Sequence, residues 1–132
     1  MTPPLQRVLY VEDDADIRTI AVLALETVGG LQLRACASGA EALEAAAGFA
    51  PDLLLLDVMM PGMDGPTTLQ RLRELPGTAR TPVVFMTAKM QASEIEHYLS
   101  LGALGVITKP FDPMALAVQV QDLWRQRPAA GA

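Results

Sequence analysis

The 132-residue sequence predicts a doubly wound α/β fold, with five parallel strands alternating with five helices. Three observations carry that prediction. Short apolar runs alternate along the chain with longer segments of helical periodicity. One of those runs, Leu53 to Leu56, is four leucines in a row, the pattern of a strand covered on both faces. Glycine and proline punctuate the joints between segments.

The elements follow in order. Arg7 to Val11 (RVLYV) is a short β-branched and aromatic run ending at the acidic cluster Glu12, Asp13, Asp14. From Ala15 to Val28 a helix is expected, because Ile17, Ile20, Ala21, Ala24 and Val28 recur at helical spacing. Gly29-Gly30 stops it. Leu31 to Ala37 reads as a second strand. Ser38 then caps an alanine-rich helix, and Glu41 completes a capping box. Leucine favours helices, but the shortness of the Leu53 to Leu56 run and its flanking Pro51 and Pro61 select a strand. Pro66 suits the first position of a helix running to about Leu75. Pro82 to Met86 is the fourth strand, Ala92 to Leu101 the fourth helix and Leu104 to Thr108 the fifth strand. Asp112-Pro113 opens a last helix to about Gln126, with Leu116, Val120, Leu123 and Trp124 on one apolar stripe. The expectation is a single domain over residues 1–132, its core from about 6 to 126, with a mobile tail over 128–132. Since only that short tail follows the last helix, no output domain is expected within this chain.

Composition narrows the function. Half of the residues are hydrophobic (51%), which rules out a solvating or disordered chain. No apolar run reaches the roughly 20 residues a membrane span needs, and Met1 to Gln6 lacks a signal-peptide pattern. A single cysteine, Cys36, cannot form an internal disulfide, which fits a reducing, cytoplasmic setting. The net charge of -5 argues against a nucleic-acid surface.

In doubly wound sheets, ligands gather beyond the carboxyl ends of the strands, where the strand order reverses. For the flavodoxin-like order 2-1-3-4-5, that point lies between the first and third strands. Asp13 and Asp14 follow the first strand and Asp57 follows the third. Any one of them alone reads as a solvated loop acid. Together at the switch point, three anions need protonation or a shared cation. Oxygen ligands with no His or Cys beside them favour a hard ion such as Mg²⁺. Thr87, after the fourth strand, offers a hydroxyl donor, and Lys109, after the fifth, a compact positive charge.

These residues resemble the receiver domains of response regulators, a family typified by chemotaxis Y proteins. The resemblance runs from Arg7 to about Trp124. It rests on Asp13-Asp14, on LLLLDVMMPGMDG around Asp57, on MTA with Thr87, and on Lys109-Pro110-Phe111. It implies that Asp57 is a phosphoacceptor. It also implies that Asp14 and Asp57 bind Mg²⁺ directly, Asp13 through water, and Met59 through its backbone carbonyl. Lys109 would pair with the acceptor or its phosphoryl group, Thr87 would close on the phosphate, and a cis Lys109-Pro110 bond would turn Lys109 inward. The phosphoryl donor would be a sensor histidine kinase or a histidine phosphotransfer protein. The output would reach a downstream protein, or a second copy in a homodimer, through the fourth helix, fifth strand and fifth helix. By the same resemblance the chain is no enzyme beyond its own phosphorylation and dephosphorylation.

Some positions depart from the family pattern or invite other readings. Val106 stands three residues before Lys109, where many receivers carry Tyr or Phe, so a relay by a swinging ring is not expected. Val106 also favours the rival reading, an interaction module whose output needs no phosphate. Met59 and Lys89 flank the acceptor and Thr87, and are expected to set the lifetime of the phosphoryl group. A dehalogenase-type phosphatase would need an acid where Met59 stands. A flavin site would need a Gly- or Ser-rich loop where Glu12-Asp13-Asp14 stands. His97 is expected on the surface, Cys36 in the core, and Trp124 as the anchor of the last helix onto the sheet.

Overall fold

The structure, a computed structural model, describes residues 3–88 and 91–127. Strands β1 (Arg7–Val11), β2 (Gln32–Cys36), β3 (Leu53–Asp57), β4 (Val83–Thr87) and β5 (Gly105–Thr108) form one sheet. Its order is β2-β1-β3-β4-β5, and every pairing is parallel. The expected topology is the one observed. Helices α1 (Ala15–Leu23) and α5 (Leu116–Arg125) cover one face. Helices α2 (Gly39–Phe49), α3 (Gly65–Arg73) and α4 (Ala92–Ser100) cover the other. The four leucines of β3 show why this strand sits in the middle. Leu53 and Leu55 enter the α1/α5 core while Leu54 and Leu56 enter the opposite one, and none has any exposure. Truncating one of them to alanine would cost about 2–5 kcal/mol.

Two helices differ from the sequence reading. The first does not run regularly to Val28. It turns into a π-helical segment over Ala24–Val28, closed by the Gly29 amide on the Ala24 carbonyl at 3.1 Å. The wider turn shifts the phase of the stripe. Ala21, Ala24 and Leu25 are buried, while Val28, past the wider turn, is exposed; Ile20, also assigned inward from the spacing, is exposed already within the regular turns before it. Gly29 is required here, because a Cβ would lie 2.6 Å from that of Ala117 on α5. The last helix starts later than Asp112-Pro113 suggests. Asp112 caps a preliminary turn through the Met114 amide (2.9 Å), and regular helix begins at Leu116.

Elsewhere the local chemistry mostly behaves as read. Ser38 Oγ accepts the Glu41 amide at 3.1 Å as read, while Glu41 reaches past the Ser38 amide of a capping box to that of Ala37, at 2.6 Å. Cys36 is buried, with its thiol pushed up to about 11 chiefly by burial. His97 is exposed. Trp124 packs into the α1/α5 core and donates its indole N–H to the Pro3 carbonyl at 2.8 Å. The tail over 128–132 and Lys89 lie outside the described residues. Among the described residues, no helix is long and apolar enough to cross a membrane.

Candidate functional site

The register of the central strands builds the site. Val11 stands opposite Leu56, so the next residues along, Glu12 and Asp57, meet at the carboxyl edge of the sheet. Asp57 closes β3 and is only 2% exposed. Glu12 is buried completely. Lys109, just past β5, spans both: its Nζ donates to Glu12 Oε1 at 2.8 Å and to Asp57 Oδ1 at 3.0 Å. The second Glu12 oxygen accepts the Asp14 amide at 3.3 Å. Asp57 Oδ2 is buried and has no hydrogen-bond partner among the described residues.

Electrostatics follow from this crowding. Burial lifts the Glu12 carboxyl to about 7, opposed by the Lys109 hydrogen bond and reinforced by Asp57. Burial works against the Lys109 ammonium, but its bonds to Glu12 and Asp57 outweigh that and hold its pKa above the ordinary lysine range. Tyr10, on the same strand face as Glu12, has a buried hydroxyl without a partner among the described residues. Burial raises its pKa, and the charges of Glu12 and Asp57 add to the effect.

One assignment from the sequence needs correction. The acids that converge are Glu12, Asp13 and Asp57, each offering an oxygen within 4.8 Å of the others. Asp14 is not among them. It is the N-cap of α1, and its carboxylate accepts the amides of Asp16 and Ile17 at 2.9 and 3.0 Å. Its Oδ1 accepts both amides, which turns the carboxylate toward its own helix start. Glu12 takes its place because it is the residue that register sets beside Asp57, and its longer side chain spans the gap to Lys109.

The remaining predicted residues surround this trio. Thr87 closes β4 with 2% exposure, and its carbonyl accepts the Lys109 amide at 2.9 Å. The Lys109-Pro110 bond is cis. Met59 lies two residues beyond Asp57 with its side chain exposed. Val106 is half-buried, opposite Phe85 in the register and beside the core that holds Tyr98. The PGMDG turn explains itself residue by residue. Gly62 has φ +80°, Asp64 caps α3 on the Thr67 amide at 2.8 Å, and a Cβ on Gly65 would collide with the Asp57 carbonyl. The turn therefore brings α3 directly against the end of β3.

The donor set is all oxygen and anionic, and one buried carboxylate oxygen lacks a partner among the described residues. That combination fits a hard divalent cation.

Comparison with known proteins agrees with the geometry. Residues 8–121 match the response regulator receiver domain family. The transcriptional regulatory protein CseB of Streptomyces coelicolor is 36% identical over 94% of this chain, and the response regulator PleD of Caulobacter vibrioides 38% over 90%. The chain spans 51% of the length of that CseB and 26% of that PleD. Among solved structures, the chemotaxis protein CheY4 of Vibrio cholerae superposes with a TM-score of 0.82 at 28% identity, covering 90% of this chain and 98% of that one.

Proposed function

The chain belongs to the response regulator receiver domain family, and on that premise we propose that it takes a phosphoryl group onto Asp57 and uses it to switch a partner contact. The observation that carries this reading is the state of Asp57: buried, one oxygen held by Lys109, the other without a partner among the described residues, inside a pocket of acids. Such a carboxylate is placed to be a nucleophile rather than a structural acceptor.

Asp13 and Asp57 would hold Mg²⁺ directly, with the Met59 carbonyl beside them. Glu12, whose two oxygens already accept Lys109 and the Asp14 amide, would act through water. When bound, the cation would offset negative charge on the phosphoryl oxygens. The Asp57 carboxylate attacks phosphorus in line, forming an acyl phosphate as the bond from phosphorus to the donor imidazole nitrogen breaks. Lys109 offsets charge on the same oxygens, and the Thr87 hydroxyl donates to the new phosphoryl group. The donor is a phosphohistidine on a sensor kinase or phosphotransfer protein in the cytoplasm. The acyl phosphate carries about -1.5 to -2 where the carboxylate carried -1, and this added charge then repacks the face formed by α4, β5 and α5, where a downstream protein or a second copy docks.

A second reading is favoured by Val106, since a half-buried aliphatic cannot report the phosphate by burying a ring. In that reading the fold is an interaction module indifferent to phosphate. Beryllofluoride with Mg²⁺ separates the two. The phosphoacceptor reading predicts amide shifts around Thr87 and Val106 in the parent and none in Asp57→Asn. A silent parent, or an unchanged response in Asp57→Asn, would refute it.

A further inference from the structure

Arg18 lies on α1, outside the acid trio, yet its side chain reaches back over the start of the helix. Its Nη1 donates to the Glu12 carbonyl at 2.7 Å and makes a longer contact, 3.5 Å, with the Asp13 carbonyl. Those two carbonyls belong to the two peptide planes that flank the Asp13 Cα. Holding both planes fixes the backbone angles of Asp13 and therefore the direction in which its side chain leaves the chain. Asp13 depends on this more than its neighbours do. Glu12 is locked by Lys109 and by its own loop, Asp57 sits inside a strand, and Asp13 is the exposed member of the trio.

The rest of the loop is held on either side of the same point. The Glu12 amide donates to the Cys36 carbonyl at 3.0 Å, and the Arg18 amide to the Asp14 carbonyl at 2.9 Å. The Asp14 carboxylate ties down the first turn of α1. Arg18 thus bridges the strand end to the helix it stands on, across the residue that must face a cation.

We propose that Arg18 is a positioning residue for the cation site, orienting the Asp13 carboxylate by clamping the peptides on both sides of it. The inference rests on the Mg²⁺ site proposed above. Two effects of Arg18 oppose each other, and the sign of the outcome separates them. As a bare positive charge near the site, Arg18 repels Mg²⁺, so its removal would tighten binding. As a clamp it preorganises a ligand, so its removal weakens binding; loss of a supporting contact of this kind usually costs 10–100-fold in metal affinity. Lysine keeps the charge but carries it as a compact ammonium on a more flexible stem in place of a planar guanidinium, so it restores the clamp only in part.

The test is a Mg²⁺ titration of the parent, Arg18→Met and Arg18→Lys, followed by the amide shifts of residues 12–14 and 57, with thermal unfolding of each variant as the check on folding. The Kd of Arg18→Met is expected to rise by about ten-fold or more, with Arg18→Lys between it and the parent. Unchanged or tighter binding by a folded Arg18→Met would overturn the proposal. If Arg18→Met does not fold, Arg18→Lys decides: a Kd several-fold above the parent's supports the clamp, and an equal Kd overturns it. A parent that binds no Mg²⁺ removes the proposed site itself, and the clamp with it. A parent that binds while both variants bind equally well removes only the role of Arg18.

Discussion

Asp52 and Asp57 stand at opposite ends of β3, and the contrast between them separates an acid supplied with backbone donors from one that shares a single lysine. Asp52, just before the strand, is half-buried, and its Oδ2 accepts the amides of Arg7 at 2.9 Å and Gln6 at 3.2 Å. Its own amide donates to the Arg7 carbonyl, and Arg7 in turn donates to the Phe49 carbonyl and lies over the Phe49 ring at 4.5 Å. That end of the sheet is a set of polar groups with mutual partners. At the other end, Asp57 and Glu12 are more deeply buried and share one lysine, and an Asp57 oxygen lacks a partner among the described residues. Residue type does not distinguish the two aspartates. The supply of donors does: one end stabilises the fold, and at the other an acid oxygen lacks a donor among the described residues, which is what a cation would use.

The largest effect on stability should come from the Asp57 end. Lys109→Met leaves two buried acids without their shared cation, and should lower stability by about 2–3 kcal/mol above pH 7. The loss should shrink at lower pH as Glu12 takes up a proton, which urea unfolding at pH 5 and pH 8 would show. An equal loss at both pH values would break the link between Lys109 and the Glu12 charge.

Glu12 itself should give the fold a pH dependence of defined sign. Its folded pKa, about 7, lies above the ordinary 4.5, so the folded state holds a proton that the unfolded state releases. Stability therefore falls as pH rises from about 4.5 to about 7 and stays reduced above that, by no more than about 3 kcal/mol. Glu12→Gln should remove this slope relative to the parent. In the parent, Mg²⁺ should counter the loss, raising stability more at pH 8 than at pH 5. A parent and Glu12→Gln with parallel pH profiles would mean that Glu12 is not the group responsible.

At the paired end, Asp52→Asn should cost about 1 kcal/mol through weakened bonds to the Gln6 and Arg7 amides. It should leave the response to beryllofluoride unchanged. A variant that kept its stability but lost that response would erase the distinction between the two ends. The smallest effect concerns Met59, exposed beside the acceptor. Met59→Asn should speed loss of the phosphoryl group a few-fold, on the order of 1 kcal/mol of barrier, by admitting the attacking water more readily. Equal dephosphorylation rates would assign Met59 no part in the lifetime.

Much of this architecture is legible in the residues because the signals are local. The unbroken leucines of β3 required cover on both faces, and Ser38 with Glu41 marked a helix start. The identity of the acid trio was only half legible. Asp57 ends a strand and could be read directly, whereas choosing among Glu12, Asp13 and Asp14 depends on the register between β1 and β3, a non-local quantity. One local clue did point the right way: a helix beginning at Ala15 makes Asp14 its N-cap, committing that carboxylate to the helix amides. The π-helical end of the first helix was not legible. It ends where Gly29 comes close to Ala117 on α5, a tertiary contact that no spacing within the helix encodes.

The central claim is that the two ends of β3 differ in chemistry and that Asp57 is the residue that reacts. Intact mass after incubation with acetyl phosphate and Mg²⁺ tests it directly on the parent, Asp52→Asn and Asp57→Asn. The parent and Asp52→Asn should each gain the mass of one phosphoryl group, and Asp57→Asn should gain none. A parent that stays unlabelled, or an Asp57→Asn protein that labels as the parent does, would contradict the account.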